Sequence, residues 1–197
     1  MAALARRTAF ADAARQRGEA AFLKATAELL EEGTPFGELA IETIARRAGY
    51  SRATFYAYFR DKRELVLEMG ERFATAILEV AGPWLEERED DLTGTLTAML
   101  RVFQAHRGAL SALVETSGYD AEVAAFWRSL HERFLLAADE RIGQSAPKMP
   151  FPEIEARAFA MVWMTERCLS EHVLAPRVRE AELIEALAGQ WEAALRP

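Results

Sequence analysis

A single cysteine, Cys168, stands among 197 residues, so neither an intramolecular disulfide nor a cysteine-based zinc cluster can hold this chain together. Set in an apolar helical run, its thiol reads as buried and inert, with redox sensing as the alternative. Histidine is nearly as scarce. His106, His131 and His172 lie far apart, without the i, i+4 pairing or carboxylate company of a metal centre, and they read as surface or internally satisfied side chains. No apolar run of 18 residues and no signal-peptide core is present, which speaks against a membrane span and for a cytoplasmic protein. A nucleophile elbow, a phosphate-binding glycine loop and paired carboxylates are also missing, so no catalytic residue, metal or cofactor is expected.

Positive charge is in deficit overall, at −7, which alone argues against a general nucleic-acid binder. Its distribution tells more. Residues 1–63 hold 11 Lys+Arg against 8 Asp+Glu, a net of +3, while residues 64–197 hold 13 against 23, a net of −10. The basic excess therefore sits at one end, where phosphate attraction would be useful.

That end carries the most informative stretch, residues 41–65, IETIARRAGYSRATFYAYFRDKREL. Ile41, Ile44, Ala45 and Ala48 recur at helical spacing, and Gly49 closes the helix where a left-handed backbone costs least. Ser51 is a good N-cap for a second short helix, on which Phe55 and Phe59 can pack back against the first. The outline is a helix-turn-helix. Arg52, Ala53, Thr54, Tyr56 and Tyr58 are left for other faces of the second helix. Arg52 can reach guanine O6 and N7 or a phosphate, and Thr54 a thymine methyl or a phosphate. Tyr56 and Tyr58 can donate to phosphates, and Lys62 opens the next helix near the backbone. An ordinary helical corner is the plain alternative.

Ile44-Ala45, Ala48-Gly49-Tyr50-Ser51, Thr54-Phe55-Tyr56, Tyr58-Phe59 and Lys62-Arg63-Glu64-Leu65 resemble the signature of the TetR family of bacterial regulators. The preceding helix, about residues 18–32, fits as well. The resemblance implies an all-α fold. A three-helix DNA-binding domain (residues 1–63, including the N-terminal arm) would precede a helical ligand-binding and dimerisation domain (residues 64–197). It also implies a homodimer on a double-stranded DNA operator, with Ser51, Arg52, Ala53, Thr54, Tyr56, Tyr58 and Lys62 at the DNA. Ala53 departs from the glycine or proline often found there. The opening residues, with Arg6 and Arg7, read as a frayed arm or a helix extension, or as an arm reaching a minor groove.

From residue 61 onward the chain reads as helices only, with no strand-period run, repeat or low-complexity tract. Leu65, Met69, Phe73 and Ile77 predict a helix over about 61–80 that links head to body, with Gly82-Pro83 stopping it and a solvated acidic turn over 86–91. Further helices are expected over about 92–104, from 108 to 115, and from 120 onward. After a proline-rich break at 144–152, two more follow over about 153–174 and 179–195. Leu183, Leu187, Trp191 and Leu195 on the last helix join Phe159, Val162, Trp163, Leu169 and Val173 on the one before. That is more apolar surface than one core needs, so pairing of these two helices with their copies is expected.

Phe103, Trp127 with Phe134, Trp163 and Trp191 lie on four helices that could surround one space. Ala121-Glu122-Val123-Ala124 with Trp127, Met164-Thr165-Glu166-Arg167, and Trp191 resemble the mycobacterial ethionamide-resistance repressor subgroup of the TetR family. That resemblance implies an apolar channel lined by Leu96, Phe103, Trp127, Phe134, Val162, Thr165, Leu169 and Trp191, and a hydrophobic small-molecule effector. Val162 and Thr165 stand where the subgroup offers carboxamides, so its polar recognition does not carry over. Two readings are open for Glu166 and Arg167: a structural ion-pair network, or Glu166 facing the cavity to meet a polar ligand end. An all-helical enzyme and a helical adaptor are the rival classes; neither would show salt-dependent operator binding.

Overall fold

The computed structural model describes residues 2–86 and 91–196, with side chains from residue 13 onward. Among the described residues there are nine α-helices, one short 3₁₀ turn and no strand. Arg6 and Arg7, as side chains, and residues 87–90 of the expected acidic turn lie outside the described set.

The head is built on α1 (Ala2–Glu31), which begins sixteen residues earlier than the expected start at 18. The 3₁₀ turn Phe36–Glu38 leads into α2 (Ile41–Ala48) and α3 (Arg52–Phe55). Between α2 and α3, Gly49 takes φ 81°, which a side chain would strain. Ser51 Oγ then accepts from the Thr54 amide at 3.1 Å, as an N-cap should. Regular helix in α3 stops at Phe55 and continues as turns, so the second helix is shorter than its sequence suggests. Phe22 of α1 is the hub of the head. Fully buried, it meets Phe55 at 5.5 Å and Phe59 at 6.1 Å edge-on, and stacks on Tyr50 at 5.2 Å. Burying such a ring contributes roughly 1.5–3 kcal/mol, and these contacts fix how α3 is presented.

The long helix α4 (Lys62–Glu86) corrects one expectation, because Gly82-Pro83 does not stop it. Pro83 denies the Glu79 carbonyl its helical donor, but burial holds the last turn. Trp84 and Leu85 are inside, with Trp84 edge-on to Trp191 at 5.3 Å and the Arg141 guanidinium over its ring at 5.0 Å. The expected stripe of Leu65, Met69, Phe73 and Ile77 is buried throughout.

The body continues with α5 (Leu92–Ala105), α6 (Arg107–Ser117), α7 (Ala121–Ser145), α8 (Phe151–Leu174) and α9 (Glu180–Ala194). Gly108 lies within the first turn of α6, and its role is close approach. A Cβ there would stand 3.0 Å from the Ala27 Cα, so this glycine lets α6 lie directly against α1. Asp120 caps α7, accepting from the Glu122 and Val123 amides at 3.0 and 3.2 Å. Helix α7 packs most extensively against α8, and α9 packs against α5 and α8. Val162, Leu169 and Val173 of α8 and Leu187 and Trp191 of α9 are consumed by the internal core, while Phe151 and Phe159 remain exposed.

Candidate DNA-reading face and ligand cavity

The exposed surface of the helix-turn-helix runs from Tyr50 through Ser51, Arg52 and Ala53 to Tyr56 and Ala57. Arg52 Nη2 donates to the Tyr56 hydroxyl at 3.3 Å, and the guanidinium lies 5.8 Å from that ring's centre. The pair forms one outward platform. Thr54, half-buried, shares a 2.8 Å hydrogen bond with Ser51 Oγ, so its hydroxyl belongs to the capping geometry. Tyr50 and Arg46 are exposed beside this face; reading only the second helix misses them.

Two expected contacts sit differently. Tyr58 turns its ring inward, 5.4 Å from Phe22, and its hydroxyl covers Gly18 so closely that a Cβ there could not coexist with it. Lys62 Nζ donates to the Phe36 and Gly37 carbonyls at 2.6 and 2.9 Å and lies 4.9 Å from the Phe36 ring centre. Burial lowers its pKa against the opposing pull of Glu115. Two of its three N–H donors therefore anchor the 3₁₀ turn.

From the other side, Glu115 of α6 accepts the Phe36 and Gly37 amides at 2.8 and 2.7 Å. Arg63 Nε donates to Asp120 at 2.6 Å and its Nη1 to Glu122 at 3.3 Å, tying the start of α4 to the start of α7. The Arg63 guanidinium holds the Asp120 carboxyl below its usual pKa. Head and body are thus joined at several points, not by α4 alone. No local sequence pattern announces these links, since their partners lie as many as 79 positions apart.

Within the body, α4, α5, α7, α8 and α9 enclose an apolar space of about 670 Å³, counting its mouth. Of the expected lining, Leu96, Phe103, Trp127, Phe134, Val162, Thr165, Glu166 and Trp191 are present. Leu169 is not. One helical turn beyond Thr165, it is fully enclosed by core packing and reaches no open space. Trp163 is also absent from the wall; it stacks on His131 at 4.1 Å. Phe73, Ile77, Ala81, Trp84 and Leu85 of α4 join the lining, the last two because the helix continues past Pro83.

Polar groups in this wall are few. Trp191 Nε1 donates to Thr165 Oγ1 at 2.9 Å in a buried bond, so this hydroxyl orients the indole. Glu166 stands in the cavity lining and also accepts from Ser170 Oγ at 2.5 Å and faces His131 of α7 at 3.9 Å, so it combines features of both readings, while Arg167 turns outward to Glu171 at 2.6 Å. The histidines are not surface groups. His131 and His172 are buried, each with one ring nitrogen unpartnered, and burial lowers the pKa of His106. Cys168 is half-buried, less enclosed than its apolar run suggests.

Residues 22–69 match the profile of the bacterial regulatory proteins of the tetR family, and residues 92–195 match the C-terminal domain of the transcriptional regulator EthR. The chain belongs to the TetR family. This TetR-family regulator is 27% identical over 180 residues to the HTH-type transcriptional regulator EthR of Mycobacterium tuberculosis, covering 85% of this chain and 82% of the relative. The EthR protein of Mycolicibacterium smegmatis is 24% identical over 185 residues, covering 88% and 83%. Among solved structures, a transcriptional regulator from Aquifex aeolicus superposes with TM-score 0.69 at 19% identity, covering 89% of this chain and 98% of its own. A tetR-family regulator from Streptomyces coelicolor gives 0.67 at 21%, covering 91% and 79%. These structures establish the shared fold. The protein is a helix-turn-helix transcriptional regulator, and ligand binding and homodimer formation are typical of its family.

Proposed function

We propose that this TetR-family regulator is a repressor that works as a cytoplasmic homodimer and leaves a palindromic operator when a hydrophobic small molecule fills the body cavity. Residues 1–63 read the DNA; residues 64–197 bind the effector and the partner subunit. One observation carries the reading: α4 is continuous from Lys62, at the head, to Trp84 and Leu85, in the cavity wall. A ligand that displaces this wall moves a rod whose first residue, Lys62, is bonded to the 3₁₀ turn of the head.

Arg52 reads a base edge, with Tyr56 fixing the guanidinium and Ser51, Ala53 and Thr54 at the groove. The third N–H of Lys62 serves a phosphate, and Tyr58 does so only if its hydroxyl leaves Gly18 when DNA binds. One short helix spans few base pairs, so two half-sites about 34 Å apart, or a multiple, are needed. The exposed Phe151 and Phe159 on α8, facing copies of themselves beside exposed Ala186, Gly189 and Ala193 on α9, suit a four-helix dimer interface. The ligand shifts DNA affinity only by its preference for one spacing of the heads. Emptying an operator takes on the order of a few kcal/mol of that preference.

Selecting bound duplexes from a random pool tests the reading. The expected result is an enriched palindrome bound by a dimer. A monomer in sedimentation, or a pool without enrichment, would overturn it.

A further inference from the structure

The cavity wall brings two acceptors face to face. His131 Nδ1 lies 2.8 Å from the Trp127 carbonyl oxygen. A carbonyl only accepts, so Nδ1 carries the hydrogen, and in the neutral ring Nε2 presents a lone pair. Nε2 is buried without a hydrogen-bond partner. Facing it at 3.9 Å is Glu166 Oε2, a second acceptor, while Glu166 Oε1 takes the Ser170 hydroxyl at 2.5 Å. The two side chains are only 5% and 15% exposed. The adjacent Arg167 is engaged with Glu171 and lends no positive charge.

Two acceptors, one of them on a carboxylate, thus border a space whose remaining lining is hydrocarbon and aromatic apart from the Thr95 hydroxyl, given to the Asp91 carbonyl, and the Thr165 hydroxyl, bonded by the Trp191 indole. His131 Nε2 is enclosed there, and leaving it without a donor is costly. The complement of the two acceptors is a compact group rich in N–H donors and positively charged. Trp127 and Phe134 stand in the same lining, and aromatic rings attract a cation placed over them.

Building on the cavity's role as the effector site, we infer that the effector is a hydrophobic amine. Its ammonium donates to His131 Nε2 and Glu166 Oε2 from the cavity side, and its hydrocarbon part lies along α4 and α5. The carboxamide chemistry expected of the subgroup is replaced, at Val162 and Thr165, by an apolar wall. Polar recognition has moved to the α7–α8 seam.

Octylamine, octanol and octanoate carry one tail and three heads, and all dissolve as monomers at useful concentrations. Binding to the full-length protein is read by the fluorescence of Trp84, Trp127 and Trp191 and by titration calorimetry at neutral pH. Octylamine is expected to bind roughly ten- to a hundredfold more tightly than octanol, the worth of a charge-assisted hydrogen bond in a shielded site, with octanoate weakest. Glu166→Gln should bring octylamine to within about twofold of octanol. His131→Phe, which keeps a ring against Trp163, should weaken octylamine and octanol alike. Melting curves of both variants verify that each is folded.

Equal binding of octylamine and octanol by the unaltered protein would overturn the inference; it would mean that His131 is an imidazolium already paired with Glu166. Preference for octanoate, or an amine preference that survives Glu166→Gln, would overturn it too. If no tail binds at all, the effector-site reading itself fails, and this inference with it.

Discussion

Glu115 offers a direct test of how the head is held. Its carboxylate accepts the Phe36 and Gly37 amides from across the head–body boundary, and the same two residues give their carbonyls to Lys62. Glu115→Ala removes both acceptors and leaves the ammonium without its nearby counter-charge. A hydrogen bond to a charged group contributes about 1.5–3 kcal/mol. The Phe36 bond is half-buried and the Gly37 bond exposed, so solvent discounts the sum to about 2–3 kcal/mol. For a chain of this size each 1 kcal/mol moves the melting temperature by about 2–4 °C, giving an expected fall of about 4–12 °C. Glu115→Gln, retaining one acceptor, should lose about half as much. Two further readouts separate docking from general stability. Amide exchange at Phe36 and Gly37 should quicken, and the loss of operator affinity on adding ligand should shrink, because the head no longer follows α6. Unchanged melting together with an undiminished ligand response would refute the idea that this clamp couples the two parts.

Other outcomes follow from the same contacts. Arg52→Ala should cost roughly 1–3 kcal/mol of operator affinity and relax preference at one base of each half-site; titration against operators varied base by base would expose an unaltered preference. Lys62→Ala should lower the slope of log affinity against log salt by about one per subunit and also reduce the melting temperature, whereas an unaffected slope would confine this residue to the 3₁₀ turn. Gly82, with open space around it, and Gly108, against α1, should respond oppositely to alanine. Gly82→Ala should gain about 0.5–1 kcal/mol of helix stability, and Gly108→Ala should lose stability; chemical denaturation giving the same sign for both would contradict the packing described. His106 is half-buried at the α5–α6 junction, edge-on to Phe73 at 6.0 Å, and its pKa is depressed by that partial burial. Its contribution is present above the ordinary histidine pKa, near 6.5, and is lost as pH falls through the depressed value. Melting temperature should therefore drop on acidification below about pH 6.5, and less so in His106→Gln; identical pH profiles would dismiss the histidine as the cause.

Local pattern determined a good deal of this protein. Gly49 and Ser51 mark the turn of the helix-turn-helix because each residue's chemistry fits one backbone position. The four-residue repeat of Leu65, Met69, Phe73 and Ile77 selects the buried face of α4. Asp120, placed before an apolar-periodic stretch, begins α7 as a cap should. Leu96, Phe103, Trp127, Phe134, Val162 and Trp191 line one pocket for a related reason: large apolar groups on amphipathic helices have one common interior to share.

Tertiary packing decided the rest. Pro83 is a local stop signal, and the burial of Trp84 and Leu85 overrides it, which extends both α4 and the cavity. Tyr58 and Lys62 look like free polar groups in the sequence, yet one packs on Phe22 and the other anchors a turn 25 residues away. Leu169 is indistinguishable by type from its neighbours, and only its depth removes it from the wall. The facing of His131 with Glu166 required two helices to meet at one height. Periodicity along a chain reports which side of a helix is buried; it carries no information about which residue of another helix will stand opposite.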